Sequence, residues 1–140
     1  MILLDTSGLI AALIPDEAQH AAAAAVLAAD DGPLVLSPFV LCEADYLLVR
    51  RGRSLRAEKR LLADVARGAY ELARFEAADV AVALEVVRRY ENLAVGLADA
   101  SIVVLAARHG TDRVLTLDER HFRALRTLDG KRFQLLPTDG

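Results

Sequence analysis

Four carboxylates stand where the chain's elements should begin or end. They are Asp5 after Met1-Ile2-Leu3-Leu4, Glu43 in Ser37-Pro38-Phe39-Val40-Leu41-Cys42-Glu43, Asp99 in Gly96-Leu97-Ala98-Asp99-Ala100, and Asp118 after Arg113-Val114-Leu115-Thr116-Leu117. Hard divalent cations take oxygen ligands and also bind phosphate, so carboxylates gathered by folding would make a metal-dependent phosphodiester-cleaving site. Each acid also has a structural use. Asp5 could form an Asx-turn with the backbone of Ser7, Asp99 could complement a helix dipole, and Asp118 could N-cap a helix that starts at Glu119. Glu43 resists such an account, because helical spacing puts it on one face with Phe39, Val40 and Leu47, where a core residue belongs. A carboxylate buried there needs a cation beside it. The histidines His20, His109 and His121 lack ligand spacing and read as surface or helix-end residues.

An alternation of strand and helix must position these acids. Met1 to Leu4 is a short apolar run suited to a buried parallel strand, followed by a polar turn, Asp5-Thr6-Ser7-Gly8, and a short helical stretch from Leu9 to Leu13. Pro15-Asp16-Glu17 should start an alanine-rich helix to about Ala29, with Asp16 as N-cap. Leu34-Val35-Leu36 is a second strand, and Ser37-Pro38 opens a helix running to about Arg51. Ser54 caps another through about Arg67, which Gly68 ends, and Tyr70 to Phe75 reads as an edge strand. A helix from about Ala77 to Tyr90 carries Val80, Leu84 and Val87 at helical spacing, and the apolar helix Leu97 to Arg108 closes at His109-Gly110. Arg113 to Leu117 is a strand, Glu119 to Leu125 a short helix and Phe133 to Leu136 a last strand. Strands separated by helices imply crossovers, hence an α/β fold with a central, mostly parallel sheet between two helical layers. Such sheets present function at the carboxyl ends of their strands, where Asp5 and Asp118 fall and toward which Glu43 and Asp99 can turn.

Composition sets the scale. A chain of 140 residues makes one domain, residues 1–140, without linker or internal repeat, and buries roughly 70% of its unfolded surface without disulfides or zinc. The single cysteine, Cys42, has no partner in the chain and lies among apolar residues, so it is expected as a buried thiol in a reducing compartment. The apolar N-terminus is interrupted by Asp5 and has no basic leader, and no run reaches membrane length, which predicts a soluble cytoplasmic protein. The net charge of −3 is unevenly spread: residues 50–60 hold six basic side chains against one acid. A second basic stretch runs from Arg120 through Arg123, Arg126, Lys131 and Arg132.

The chain resembles the PIN domain, and within it the VapC-type toxins of bacterial toxin–antitoxin pairs. The resemblance rests on Ile2-Leu3-Leu4-Asp5-Thr6-Ser7, on Ser37-Pro38 with Glu43 in the following helix, on Gly96-Leu97-Ala98-Asp99-Ala100, and on Leu115-Thr116-Leu117-Asp118 followed by Arg120-His121-Phe122. It implies a Mg²⁺- or Mn²⁺-dependent endoribonuclease with a PIN-like three-layer α/β/α fold. Asp5, Glu43 and Asp99 would form the main carboxylate set, and Asp118 would complete the site or serve a second ion. Thr6, Thr116 and Ser7 would be hydroxyls that orient carboxylates or a bound water. The implied partners are a structured RNA substrate, transfer or ribosomal, a small VapB-like antitoxin that covers the acidic cleft, and a second copy of the chain. Arg50, Arg51 and Arg53, just beyond the helix that holds Glu43, are candidates for RNA or antitoxin contact.

The alternatives differ in class. A non-catalytic PIN-like RNA-binding or interaction module would share every motif but would not turn over. Haloacid-dehalogenase-like phosphatases also place an aspartate after a buried strand, but they need a second acid two residues on, where this chain has Ser7. Response-regulator-like receivers need an N-terminal acid pair and a late lysine that are missing here.

Overall fold

The computed structural model describes residues 1–50 and 54–140, so Arg51 and Arg53 lie outside the described residues. The strands are β1 (Ile2–Leu4), β2 (Leu34–Leu36), β3 (Glu71–Leu72), β4 (Arg113–Leu115) and β5 (Gln134–Leu136). The helices are α1 (Thr6–Leu13), α2 (His20–Ala29), α3 (Pro38–Arg50), α4 (Leu55–Ala66), α5 (Ala77–Arg89), α6 (Leu97–His109) and α7 (Glu119–Ala124). The five strands form one sheet in the order β3-β2-β1-β4-β5, and every pairing is parallel. The chain steps outward from β1 to β3, then crosses back to β4 and on to β5. Right-handed crossovers in opposite directions place helices on both faces, which gives the expected three layers. The direction reverses between β1 and β4, whose carboxyl ends carry Asp5 and Thr116. That is the position where open α/β sheets form a crevice.

The core is built on the sheet. Ile2, Leu3, Leu4, Val35, Leu36, Val114 and Leu115 are all at most 1% exposed, so the apolar continuity of these strands reflects cover on both faces. Helix α6 is buried without interruption from Ala100 to Ala106, as a helix apolar on all sides must be. It ends at Gly110, whose left-handed φ of 64° makes the C-cap. Ser54 caps α4 by accepting from the Ala57 amide at 2.9 Å.

Several local expectations are overturned. Asp5-Thr6-Ser7-Gly8 is not a free turn, because α1 starts at Thr6 directly after β1. Gly8 permits this close approach: a Cβ there would lie 2.4 Å from the carbonyl oxygen of Leu115 on β4. Helix α2 begins at His20 rather than near Asp16, since successive turns, Glu17 N–H to Ile14 O and His20 N–H to Glu17 O, occupy the intervening backbone. His20 Nδ1 donates to the Ala11 carbonyl at 2.8 Å and fixes that start against α1. Cys42 is exposed, because the buried stripe of α3 is Val40, Ala44 and Leu48 and position 42 points away from it. On α5 the buried residues are Ala83 and Val86, whereas Val80 and Leu84 are 44% and 45% exposed. The small Ala83 lets α5 lie close against α6, and Arg108 of α6 pairs with Asp79 of α5 at 2.8 Å.

Among the described residues no helix is long and apolar enough to cross a membrane.

Candidate active site

Asp5 is the fixed point of the site. It follows the central strand, is 5% exposed, and receives two hydroxyl protons on one oxygen: Ser7 Oγ donates to Oδ2 at 2.8 Å and Thr116 Oγ1 donates to it at 2.7 Å. Each hydroxyl is in turn oriented by backbone after β4. The Leu117 amide donates to Ser7 Oγ at 2.9 Å, and the Asp118 amide donates to Thr116 Oγ1 at 2.9 Å. Both hydroxyls therefore spend their protons on Asp5 and their lone pairs on the loop that carries Asp118. Burial raises the Asp5 pKa, and these hydrogen bonds only partly oppose it. Thr6 behaves differently from Ser7 and Thr116, since its Oγ1 is buried with no hydrogen-bond partner among the described residues.

Asp99 and Asp118 approach from the other side. Asp99 lies in the first turn of α6 and Asp118 N-caps α7, its Oδ1 accepting from the His121 amide at 3.1 Å. The capping use of Asp118 and a place in the site thus coexist, because the cap occupies Oδ1 and leaves Oδ2 to meet the site. His121, read from the sequence as a helix-end residue, instead enters the site. Its Nδ1 lies 2.8 Å from Asp99 Oδ2 and 3.3 Å from Asp118 Oδ2. Its three-residue spacing from Asp118 at a helix start was the available signal, since such residues share a helix face. Burial, and then the charges of Asp5 and Asp118, push the Asp99 carboxyl up to about 6 against the opposing effect of His121.

Glu43 lines the same pocket but is exposed, not buried among core residues as helical spacing implied. The core stripe of α3 passes through Val40, Ala44 and Leu48, one position to its side. Glu43 faces the cleft with Leu47, so no desolvation cost demands a cation at it. Helices α3 and α6 are locked together by a buried hydroxyl pair that sequence reasoning passed over. Ser101 Oγ donates to the Ala98 carbonyl at 2.6 Å, which leaves Ser37 to donate to Ser101 Oγ at 2.7 Å, while the Phe39 amide donates to Ser37 Oγ at 3.2 Å. That pair sets the start of α3 against the turn bearing Asp99.

Asp5, Glu43, Asp99 and Asp118 therefore share one pocket of about 330 Å³ with Thr6, Ser7 and His121. Ligand atoms of Asp99, Asp118 and His121 all lie within 4.8 Å of one another. Oxygen donors of this kind, with the Asp5 and Asp99 carboxyls raised by burial and then by their neighbours' charge, fit a hard divalent cation. The basic residues are placed less uniformly. Arg50, Arg56, Lys59 and Arg60 are exposed on α3 and α4. Arg123 is paired with Glu119 and Asp139, Lys131 with Asp129, and Arg126 donates to carbonyls at the end of α7. Those three cations of the second basic stretch thus have structural uses.

Known proteins place this geometry in a family. The model of the PIN domain matches residues 2–128. Ribonuclease VapC26 of Mycobacterium tuberculosis (strain ATCC 25618 / H37Rv) is 42% identical over 136 residues, 97% of this chain and 100% of that protein. The crystal structure of Mycobacterium tuberculosis VapC20, a sarcin-ricin loop cleaving toxin, shares the fold with a TM-score of 0.76 at 24% identity, over 84% of this chain and 90% of that one. Sheet order, acidic crevice and sequence likeness agree, and the chain belongs to the PIN domain family, among its VapC-type ribonucleases.

Proposed function

We propose that this chain is a divalent-cation-dependent endoribonuclease and the toxin of a VapBC-type pair. The observation that carries the reading is the convergence of Asp5, Glu43, Asp99 and Asp118 on one pocket at the sheet's switch point. These four carboxylates would hold Mg²⁺ or Mn²⁺. Such a cation, when bound, offsets charge on the scissile phosphate and acidifies a nearby water. The chain's own contribution is to hold the carboxylates in place through Ser7 and Thr116 and to offer a carboxylate that accepts the proton of the attacking water. A water nucleophile needs no 2′-hydroxyl, so the products would carry 5′-phosphate and 3′-hydroxyl ends. The open pocket admits a phosphodiester backbone, and structured RNA is the substrate class that the VapC relatives support.

A VapB-like antitoxin and a second copy of the chain are the proposed protein partners. Exposed Arg50, with Arg51 and Arg53 beyond it, is proposed to contact RNA or antitoxin. Neutralising the three arginines should weaken RNA binding and flatten its salt dependence, each lost phosphate contact reducing the log–log slope by about 0.9 or less. An unchanged slope would return them to a solvated surface.

Cleavage itself tests the central claim. With Mn²⁺ or Mg²⁺ the purified chain should cut a structured RNA, and Asp5→Asn or Asp99→Asn should lower the rate by at least ~10²-fold, the scale of losing a principal electrostatic contributor. Equal activity of wild type and both variants, unchanged by EDTA, would assign the cleavage to contaminating nuclease and leave only a non-catalytic RNA-binding module.

A further inference from the structure

We infer that His121 is itself a cation ligand, so that the site in this chain has a mixed nitrogen and oxygen donor set rather than carboxylates alone. The inference rests on the divalent-cation reading above and goes beyond it by naming a nitrogen donor and the class of ion that donor favours. His121 and Asp118 come from one helical turn and lie on one face, so a single short segment presents both. The Asp118 cap consumes Oδ1 on the His121 amide at 3.1 Å, which leaves Oδ2 for another partner. That Oδ2 and Asp99 Oδ2 lie 3.3 and 2.8 Å from His121 Nδ1. Neighbouring donors around an ion with bonds of about 2.1 Å, set at right angles, are roughly 3 Å apart. The two distances from His121 Nδ1 already match that spacing, and ligand atoms of all three groups lie within 4.8 Å of one another.

Hydrogen bonding alone does not account for the arrangement as well. An imidazole Nδ1 bears at most one proton; its hydrogen bond is to Asp99 Oδ2 at 2.8 Å, so Asp118 Oδ2 at 3.3 Å is met at most by the weaker arm of a three-centre contact. A cation between the three groups satisfies all of them at once. The ring is 20% exposed and Asp99 17%, so the donors are held by packing yet open to the pocket. Imidazole nitrogen is a softer donor than carboxylate and suits first-row transition ions better than Mg²⁺. The chemical class selected is therefore the later first-row ions, such as Co²⁺ and Zn²⁺, over Mg²⁺, with His121 as the residue that sets the preference.

The test reads binding rather than turnover. Calorimetric titration of the metal-free protein with Co²⁺ and with Mg²⁺ should show His121→Ala losing at least ~10-fold in Co²⁺ affinity, the scale of removing a group that supports a bound metal, while Mg²⁺ affinity changes far less. His121→Gln, which keeps a hydrogen-bond donor but no ring nitrogen, should not restore the preference for Co²⁺. Wild-type protein gives a check that needs no variant: Zn²⁺, which is diamagnetic, should shift the Nδ1 nitrogen resonance of His121 and leave those of His20 and His109 in place. Equal losses for Co²⁺ and Mg²⁺, rescue by His121→Gln, or an unmoved His121 resonance while Zn²⁺ binds would reduce His121 to a hydrogen-bonding clamp and overturn the inference, with the acidic cation site intact. Absence of any divalent binding by wild type would overturn that site reading too.

Discussion

Thr116 shows how much of the site depends on a side chain that does no chemistry of its own. Its hydroxyl donates to Asp5 Oδ2 at 2.7 Å and accepts from the Asp118 amide at 2.9 Å, so it joins two of the four acids through one oxygen. Thr116→Val keeps the shape but removes both bonds, leaving the half-buried Asp118 amide without that acceptor and Asp5 with one hydroxyl donor instead of two. RNA cleavage should fall by about 10–100-fold, the range seen when groups that orient metal-binding side chains are lost, and Thr116→Ser should recover most of it. Matched rates for the valine and serine variants would show that the hydroxyl is not used. At this scale the sequence disclosed residue types better than environments. Asp5, Asp99 and Asp118 were legible because each interrupts an apolar pattern at an element boundary. The exposure of Glu43 was not, since a helix seen as a string does not reveal which of two adjacent positions faces the sheet. His121 was hidden for another reason: its partners, Asp99 and Asp118, include one 22 residues away in sequence, and no local spacing encodes that contact.

Elements bring these residues together, and two packing details decide how closely. Gly8 lets the first turn of α1 lie against β4, where a Cβ would sit 2.4 Å from the Leu115 carbonyl oxygen and 2.7 Å from Leu115 Cγ. Neither the strand backbone nor the buried leucine can withdraw cheaply, so Gly8→Ala should cost about 1–3 kcal/mol as overpacking does, and should lower cleavage because Ser7 moves with that turn. Urea unfolding gives the stability change, and a variant as stable as wild type would show that α1 can shift without strain. The buried Ser37–Ser101 pair performs the corresponding task for α3 and α6. Ser101→Ala leaves the Ser37 hydroxyl without its acceptor and should cost roughly 1–3 kcal/mol, more than the Ser37→Ala, Ser101→Ala double variant, in which no orphan proton remains. Strand and helix order were readable from apolar runs, and the caps at Ser54 and Gly110 from residue type. Element starts were less so. Asp16 has the chemistry of an N-cap, but successive turns from Ile14 to His20 took precedence, and the Val80 and Leu84 stripe lost the core to Ala83 because close helix contact favours a small residue.

For the molecule as a whole, gathering acids at one crevice ties stability to proton and cation concentration. The Asp99 carboxyl, raised from 3.8 to about 6 by burial and by the charges of Asp5 and Asp118, binds its proton more tightly folded than unfolded. A raised carboxyl penalises the folded state when ionised, so the penalty is full above pH 6 and fades as pH falls toward 4. Asp5 is raised as well, chiefly by burial, and acts with the same sign. Asp30 acts oppositely: the Met1 ammonium and Arg113 outweigh its burial and hold it to about 2, but its contribution is lost only as pH falls below about 4. Between pH 8 and pH 5 the crevice therefore dominates, and metal-free protein should gain about 1–2 kcal/mol on acidification, since that range crosses about one pH unit below the Asp99 value of about 6. Asp99→Asn should remove most of that gain and be at least as stable as wild type at pH 8 in EDTA. A divalent cation should stabilise wild type at pH 8, by mass action on the folded state alone, and stabilise Asp99→Asn less. Thermal melts at pH 5 and pH 8, in EDTA and in millimolar Mn²⁺, separate this from acids that serve only as caps. Caps predict a less stable Asp99→Asn at pH 8, by about 0.5–2 kcal/mol, and no rise with Mn²⁺, and that pair of results would dissolve the shared crevice.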